Sequence, residues 1–211
     1  MLYWNTVAPL LESVLKDLMQ QNEFNSFRLV GGTALSLHLG HRMSIDIDLF
    51  TDLEYRTVNF ETLESYLSNK YSYFDKSNHG LIGMGCSYLL GNSEEDNLKL
   101  DIYYTDPFIQ EPHIEEDIRL ATVEEIAAMK MDVIQRGGRK KDFWDIHEIL
   151  ENYSIPDLIT LHEQRYPYSH DHAEILFQLT NFENADNEFD PICLKGKVWE
   201  LIKYEIVQAV R

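Results

Sequence analysis

The sequence predicts an α+β fold: a mixed sheet flanked by helices over residues 1–120, then a helical domain over residues 121–211 that closes a cleft against it. Two-residue alternation of apolar and polar side chains is concentrated before residue 121, and three- and four-residue apolar spacing dominates after it. The pair Gly31-Gly32 stands between a short apolar run and a helical pattern, as at a strand-to-helix turn.

Each element follows in order. Val7, Leu10, Leu11, Val14, Leu15, Leu18 and Met19 recur at helical spacing and predict a helix over 6–21. Residues 27–30 read as a strand running into Gly31-Gly32, and 33–39 as a helix that starts just after the glycines and stops at Gly40. Residues 44–50 alternate, placing Ile45, Ile47 and Leu49 on one face and Asp46 and Asp48 on the other. Residues 60–70 predict a second helix, and 71–74, 81–90 and 98–104 predict strands, the last two joined by an acidic turn over 92–97. In the last of these Leu98, Leu100 and Ile102 share one face, and Lys99, Asp101 and Tyr103 the other.

Pro107 and Pro112 mark 105–117 as a loop. Thr122-Val123-Glu124-Glu125 reads as a capping box opening a helix whose stripe is Ile126, Met129, Val133 and Ile134, with Lys130 inside that stripe. Gly137-Gly138 ends it, 141–151 forms the next helix, and the pattern is helical from Pro156 through Val198, Leu201, Ile202 and Ile206.

Composition bounds the function. A hydrophobic share of 44% over 211 residues supports a substantial core. Cys86 and Cys193 are far apart and outside any zinc-ligand spacing, which predicts neither a disulfide framework nor a structural zinc site. Charges break the apolar pattern of the first helix, and no apolar run approaches membrane length, so a soluble cytoplasmic protein is expected. The net charge of −18 opposes general coating of nucleic acid. One dense basic run, Arg136, Arg139, Lys140 and Lys141, is either a solvated turn or the landing point of an acidic acceptor such as RNA.

Asp46 and Asp48 project from one face of a strand and repel each other unless a cation lies between them. Mg²⁺ or Mn²⁺ suits such a pair, with Asp101 as the candidate third carboxylate. Glycines at a strand-to-helix turn let backbone N–H groups approach phosphate, and the hydroxyl of Thr33 stands beside them. Together they predict a site for a metal-bound nucleoside triphosphate (NTP). Lys130 either snorkels or reaches the cleft to neutralise triphosphate charge. Asp142 and Asp145 lie three apart on one helix side, where one of them orients Lys130 or serves as a base, and Asp142 is favoured. Arg42 and Ser44 support the metal strand, contact phosphate, or stand in solvent. His170 and His172 have the look of a ligand pair without partners.

The stretch Gly31-Gly32-Thr33-Ala34-Leu35, followed by His41-Arg42-x-Ser44-x-Asp46-x-Asp48-Leu49, resembles the AbiEii/AbiGii toxin family of nucleotidyltransferases, within the DNA polymerase β-like superfamily. Glu125, Lys130, Arg136 and Lys141-Asp142-Phe143-Trp144-Asp145-Ile146 are similar to that family's downstream lysine and its basic-Asp-x-x-Asp helix. The resemblance runs in order from Leu29 to Leu150. It implies a minimal nucleotidyltransferase fold and transfer of a nucleoside monophosphate from an NTP to an acceptor hydroxyl. It also implies the toxin half of a toxin–antitoxin or phage-defence pair, with a cognate antitoxin and a tRNA acceptor. Rival readings are transfer to a small antibiotic-type hydroxyl, towards which the acidic charge leans, and an interaction module that keeps the fold without catalysis.

Overall fold

The structure, a computed structural model, describes residues 1–76 and 84–211. After a 3₁₀ turn at Trp4–Thr6, α1 (Pro9–Gln20) starts on a proline, whose missing N–H would have lacked a helical partner there anyway. There follow β1 (Arg28–Leu29), α2 (Gly31–Leu39), β2 (Asp46–Thr51), α3 (Phe60–Lys70), β3 (Tyr73–Lys76), β4 (Gly85–Gly91), β5 (Asn97–Tyr104), β6 (His113–Glu115) and β7 (Ile118–Leu120). The chain is then helical through α4 (Val123–Gln135), α5 (Lys140–Ile149), α6 (Ile155–Arg165), α7 (His172–Gln178), α8 (Glu183–Asp186) and α9 (Trp199–Val210).

The seven strands form one mixed sheet in the order β3-β4-β5-β2-β1-β7-β6. β2 runs parallel to β5, and β1 parallel to β7, while the other neighbours are antiparallel. Alternation decides which face is which. Ile47 and Leu49 of β2 and Leu98, Leu100 and Ile102 of β5 are buried in the core, against which α1 places Leu11, Val14, Leu15 and Leu18. The opposite face carries Asp46, Asp48, Phe50 and Asp101. One hydrophobic cluster joins the sheet to the C-terminal helices, reaching Trp144, Trp199 and Ile206.

Several elements depart from the sequence reading. Ile45 was expected beside Ile47, but it is exposed: the ladder begins at Asp46, because Ser44 is bonded instead to the carbonyl of Thr6. Gly31 and Gly32 belong to α2 itself, Gly31 with φ +69°. The loop expected over 105–117 contains β6, which pairs with β7 across a turn at Glu116 and Asp117. Thr122 caps α4 by accepting the N–H of Glu125, but the Glu125 carboxylate does not close the capping box; it accepts the N–H groups of Ile109 and Gln110 and pairs with Arg165. The strand expected over 81–90 is β4 from Gly85; Leu81 to Gly83 lie outside the described residues.

The helical pattern expected from Pro156 onwards is interrupted between α8 and α9. Residues 192–194 run extended alongside 41–43, with Met43 N–H bonding to the Ile192 carbonyl and Leu194 N–H to the His41 carbonyl. Pro191 and Gly196 flank this strap and break the helix on either side.

Candidate active site

The site lies where the polar face of the sheet meets α2, α4 and α5, in a cleft of about 320 Å³ lined by Gly31, Gly32, Asp46, Asp48, Lys130 and Asp142 among others. That volume is within the range of small-ligand pockets. Gly31 and Gly32 are required by close approach. A Cβ on Gly31 would stand 2.7 Å from Asp48 Oδ2, in a left-handed conformation, and one on Gly32 would collide with the Arg42 guanidinium. The N-terminus of α2 has no side-chain cap, so its first N–H groups have no intrahelical partner and sit beside the cleft.

The carboxylates are set by strand register. Asp48 and Asp101 are direct neighbours across β2 and β5. Burial, reinforced by the charges of Asp101 and Asp46, pushes the Asp48 carboxyl up to about 6. Asp101 Oδ2 accepts the Lys99 ammonium at 2.5 Å, while its buried Oδ1 has no partner among the described residues. Among the described residues no three acidic, histidine or cysteine side chains converge tightly enough to ligate one ion as they stand. Even so, a crowded carboxylate held near pH 6 and an orphaned carboxylate oxygen beside it are what a divalent cation would relieve. The donor set, all oxygen, fits Mg²⁺ or Mn²⁺.

Behind the cleft a buried ion network joins the two halves of the chain. Lys130 Nζ lies 2.6 Å from Asp142 Oδ1 and 2.7 Å from Asp145 Oδ2. Arg42 donates to both oxygens of Asp145, at 2.7 and 2.8 Å, and His41 Nε2 donates at 2.8 Å. Burial alone would lower Lys130 and raise Asp145. Asp145 and Asp142 instead hold the lysine above its ordinary value, while Arg42 and Lys130 hold Asp145 well below the usual carboxylate range. Asp142 is also depressed, by Lys130 and Arg139 against burial, and its Oδ2 accepts the Arg139 N–H at the start of α5. Lys130 therefore sits buried on two carboxylates at the cleft wall instead of snorkelling. Asp142 lines the cleft, and Asp145 is fully buried behind it under Arg42.

Other sequence expectations change. Thr33, expected on nucleotide, is 1% exposed, and its hydroxyl bonds to Ser44 Oγ and the Asp46 carbonyl; it braces the start of β2. Arg42 is likewise buried on Asp145, although it and Ser44 reach the cleft wall. Arg136, Arg139 and Lys141 line the cleft, but Lys140 does not. Its ammonium is held by the Glu188 carbonyl and Asp190 over the Trp199 ring, which removes it from the basic landing run. His170 faces His162 at 2.8 Å, and the His170 and His172 rings are 6.3 Å apart. The sequence reading quoted His41 within the motif but gave it no role, which its bond to Asp145 supplies. It missed Asp132, which resembles any solvated acid on a helix.

A family model described as nucleotidyl transferase AbiEii toxin, Type IV TA system, matches residues 13–197. An uncharacterized protein of Aquifex aeolicus is 31% identical over 170 residues, covering 78% of this chain and 77% of its own. Among solved structures, MenT4, a nucleotidyltransferase toxin of Mycobacterium tuberculosis, aligns with a TM-score of 0.60 at 13% identity, over 95% of this chain and 82% of that one. JHP933 of Helicobacter pylori aligns with a TM-score of 0.56 at 18% identity, over 95% and 87%. At such identities the two structures establish a shared fold.

Proposed function

The chain belongs to the AbiEii nucleotidyltransferase toxin family, and from that premise we propose that its cleft transfers a nucleoside monophosphate from a metal-bound NTP to an acceptor hydroxyl on RNA, with tRNA as the favoured acceptor. The observation that carries the reading is the juxtaposition, in one cleft, of the uncapped α2 N-terminus, the Asp46–Asp48–Asp101 carboxylates and the buried Lys130.

Asp46, Asp48 and Asp101 would hold Mg²⁺ or Mn²⁺, Asp101 through the carboxylate that Lys99 now pairs with. Such an ion would supply positive charge to the carboxylates and phosphates and would polarise the α-phosphate. The N–H groups at Gly31 and Gly32 receive phosphate oxygens along the positive end of α2. Lys130 has three donors and two aspartate partners, so one N–H remains for the triphosphate. Asp142 and Asp145 fix that ammonium in place, Asp142 at the cleft and Asp145 from behind. The acceptor hydroxyl gives its proton to a cleft carboxylate as its oxygen bonds to the α-phosphorus, the bond to the bridging β-phosphate oxygen breaks, and pyrophosphate leaves. Arg139 and Lys141 stand at the cleft to receive the acceptor's phosphates, with Arg136 beside them on Asp132.

In its cellular role the chain is the toxin of a pair with a cognate antitoxin, working in the cytoplasm; no helix of the described residues is long and apolar enough to cross a membrane. The net charge of −18 favours a second reading, a cationic small-molecule acceptor. Incubating the purified protein with each α-labelled NTP, Mg²⁺ and total RNA tests the proposal. Label is expected on RNA with wild type and not with Asp46→Asn. Label found only on an added aminoglycoside-type hydroxyl would support the second reading, and no transfer to either would refute both.

A further inference from the structure

The cleft extends past the groups that suit phosphate. On β2, Phe50 follows Asp46 and Asp48 on the same face, one strand repeat of about 7 Å beyond Asp48. Next to it Thr105 is fixed by the Thr51 carbonyl and by Arg165, and Tyr166 of the same arginine's segment completes that wall. On α4, Lys130 and Asp132 lie about 160° apart around the helix axis. They therefore mark opposite flanks of its cleft-facing side, with Met129 and Val133 between them. Lys130 has the phosphate flank. Asp132 has the flank with the aromatic and apolar wall.

A carboxylate in a cleft for a polyanion is unfavourable unless the ligand brings donors to it. Asp132 is 8% exposed. Its Oδ2 accepts from Arg136, whose own side chain is 68% exposed. Its Oδ1 accepts no hydrogen bond among the described residues; the nearest cation-capable group, His162 Nε2, is 3.7 Å away and itself lacks a partner. The donors of an NTP are its base amino groups and its ribose hydroxyls, and a flat apolar wall suits the base.

Resting on the nucleotidyl-transfer reading above, we propose that Asp132 reads the base of the donor nucleotide, and that the cleft takes bases with an amino group at pyrimidine position 4 or purine position 6. Cytosine and adenine offer Asp132 an amino donor and offer Arg136 an adjacent ring nitrogen as acceptor. Uracil and hypoxanthine invert both polarities, with a carbonyl where the amino group was and N–H at the ring.

The test is isothermal titration of the full chain with CTP, UTP, ATP and ITP in Mg²⁺. CTP is expected to bind about tenfold or more tighter than UTP, and ATP than ITP, the range of a paired base-edge contact. Asp132→Asn, whose amide both donates and accepts, is expected to bring both ratios towards one, with its fold checked by circular dichroism. Equal binding within each pair by wild type overturns the inference without any variant. So does a variant that weakens all four nucleotides equally and, in a parallel titration with dCTP, loses a wild-type preference for the ribonucleotide, which would place Asp132 on the ribose. If neither these four nor GTP binds, the donor-site reading itself is refuted, and this inference with it.

Discussion

Lys130 and Asp145 show why a buried charge has to be read with its partners. Neither is tolerable alone at this depth, and each is held charged by the other and by Arg42 and Asp142. Asp145→Asn should therefore destabilise the fold by about 3–5 kcal/mol in denaturant melts, because it strands the buried Arg42 and leaves Lys130 on Asp142 alone. Because the folded pKa of Asp145 is depressed, its contribution is complete above the unfolded value of 3.8 and is lost as pH falls through the lower folded value. The variant's stability should accordingly depend less on pH at the acid end, and an unchanged acid limb would refute this account. At β2 the expectation has the opposite sign. Asp46→Asn should leave stability equal or higher without metal, by removing like-charge repulsion, and should lack the thermal shift expected of wild type with Mg²⁺. The aspartates and the lysine were legible in the sequence, because alternation and a helical stripe say which side a residue is on. Thr33 and Lys140 were not, since their partners, Ser44 and Asp46 for one and Glu188 and Asp190 for the other, lie outside their own helices. Asp132 was not, since its one bonded partner, Arg136, is the ordinary neighbour of a solvated acid on a helix.

At the level of elements, helix α3 was legible to its ends, and β5 to within a residue, because their patterns are long and regular. The β6–β7 hairpin was not. Its turn places Glu116 and Asp117 at φ +52° and +63°, a conformation usually signalled by Asn-Gly, so the sequence had no glycine to announce it. Glu116 is retained there by its bonds to Trp4 Nε1 and the Leu2 N–H. Asp117→Gly should relieve the left-handed strain and raise stability by roughly 0.5–1 kcal/mol in a urea melt; a loss of that size would mean the aspartate is favourable in place. At α2 the effect reverses. Gly32→Ala would drive a methyl group into the Arg42 guanidinium, so it should lower both melting temperature and NTP affinity. A variant with wild-type values in both would show that Arg42 yields freely.

At the scale of the whole molecule, the acidic field makes any RNA contact a local affair. Arg136 and Arg139 are exposed at the cleft, whereas Lys140 is tied to the strap side. Arg139→Ala should weaken RNA binding and flatten the slope of log affinity against log salt by about 0.7 for a single strand. Lys140→Ala should leave that slope alone and cost stability instead, and equal flattening by Lys140→Ala would restore it to the acceptor surface.

The buried pair of Arg42 and Asp145 spans 103 residues of sequence, and this separation has a consequence during synthesis. A nascent chain that has emerged only as far as β7 already holds Asp46, Asp48 and the glycine turn, but Arg42 has nothing to hold it and Lys130 does not yet exist. The site forms only when α5 leaves the ribosome and docks. On the proposed function, a ribosome that stalls or drops the message at β7 would release a fragment carrying the carboxylates without Lys130, Asp142 and Asp145. Such truncated products are expected to be inert.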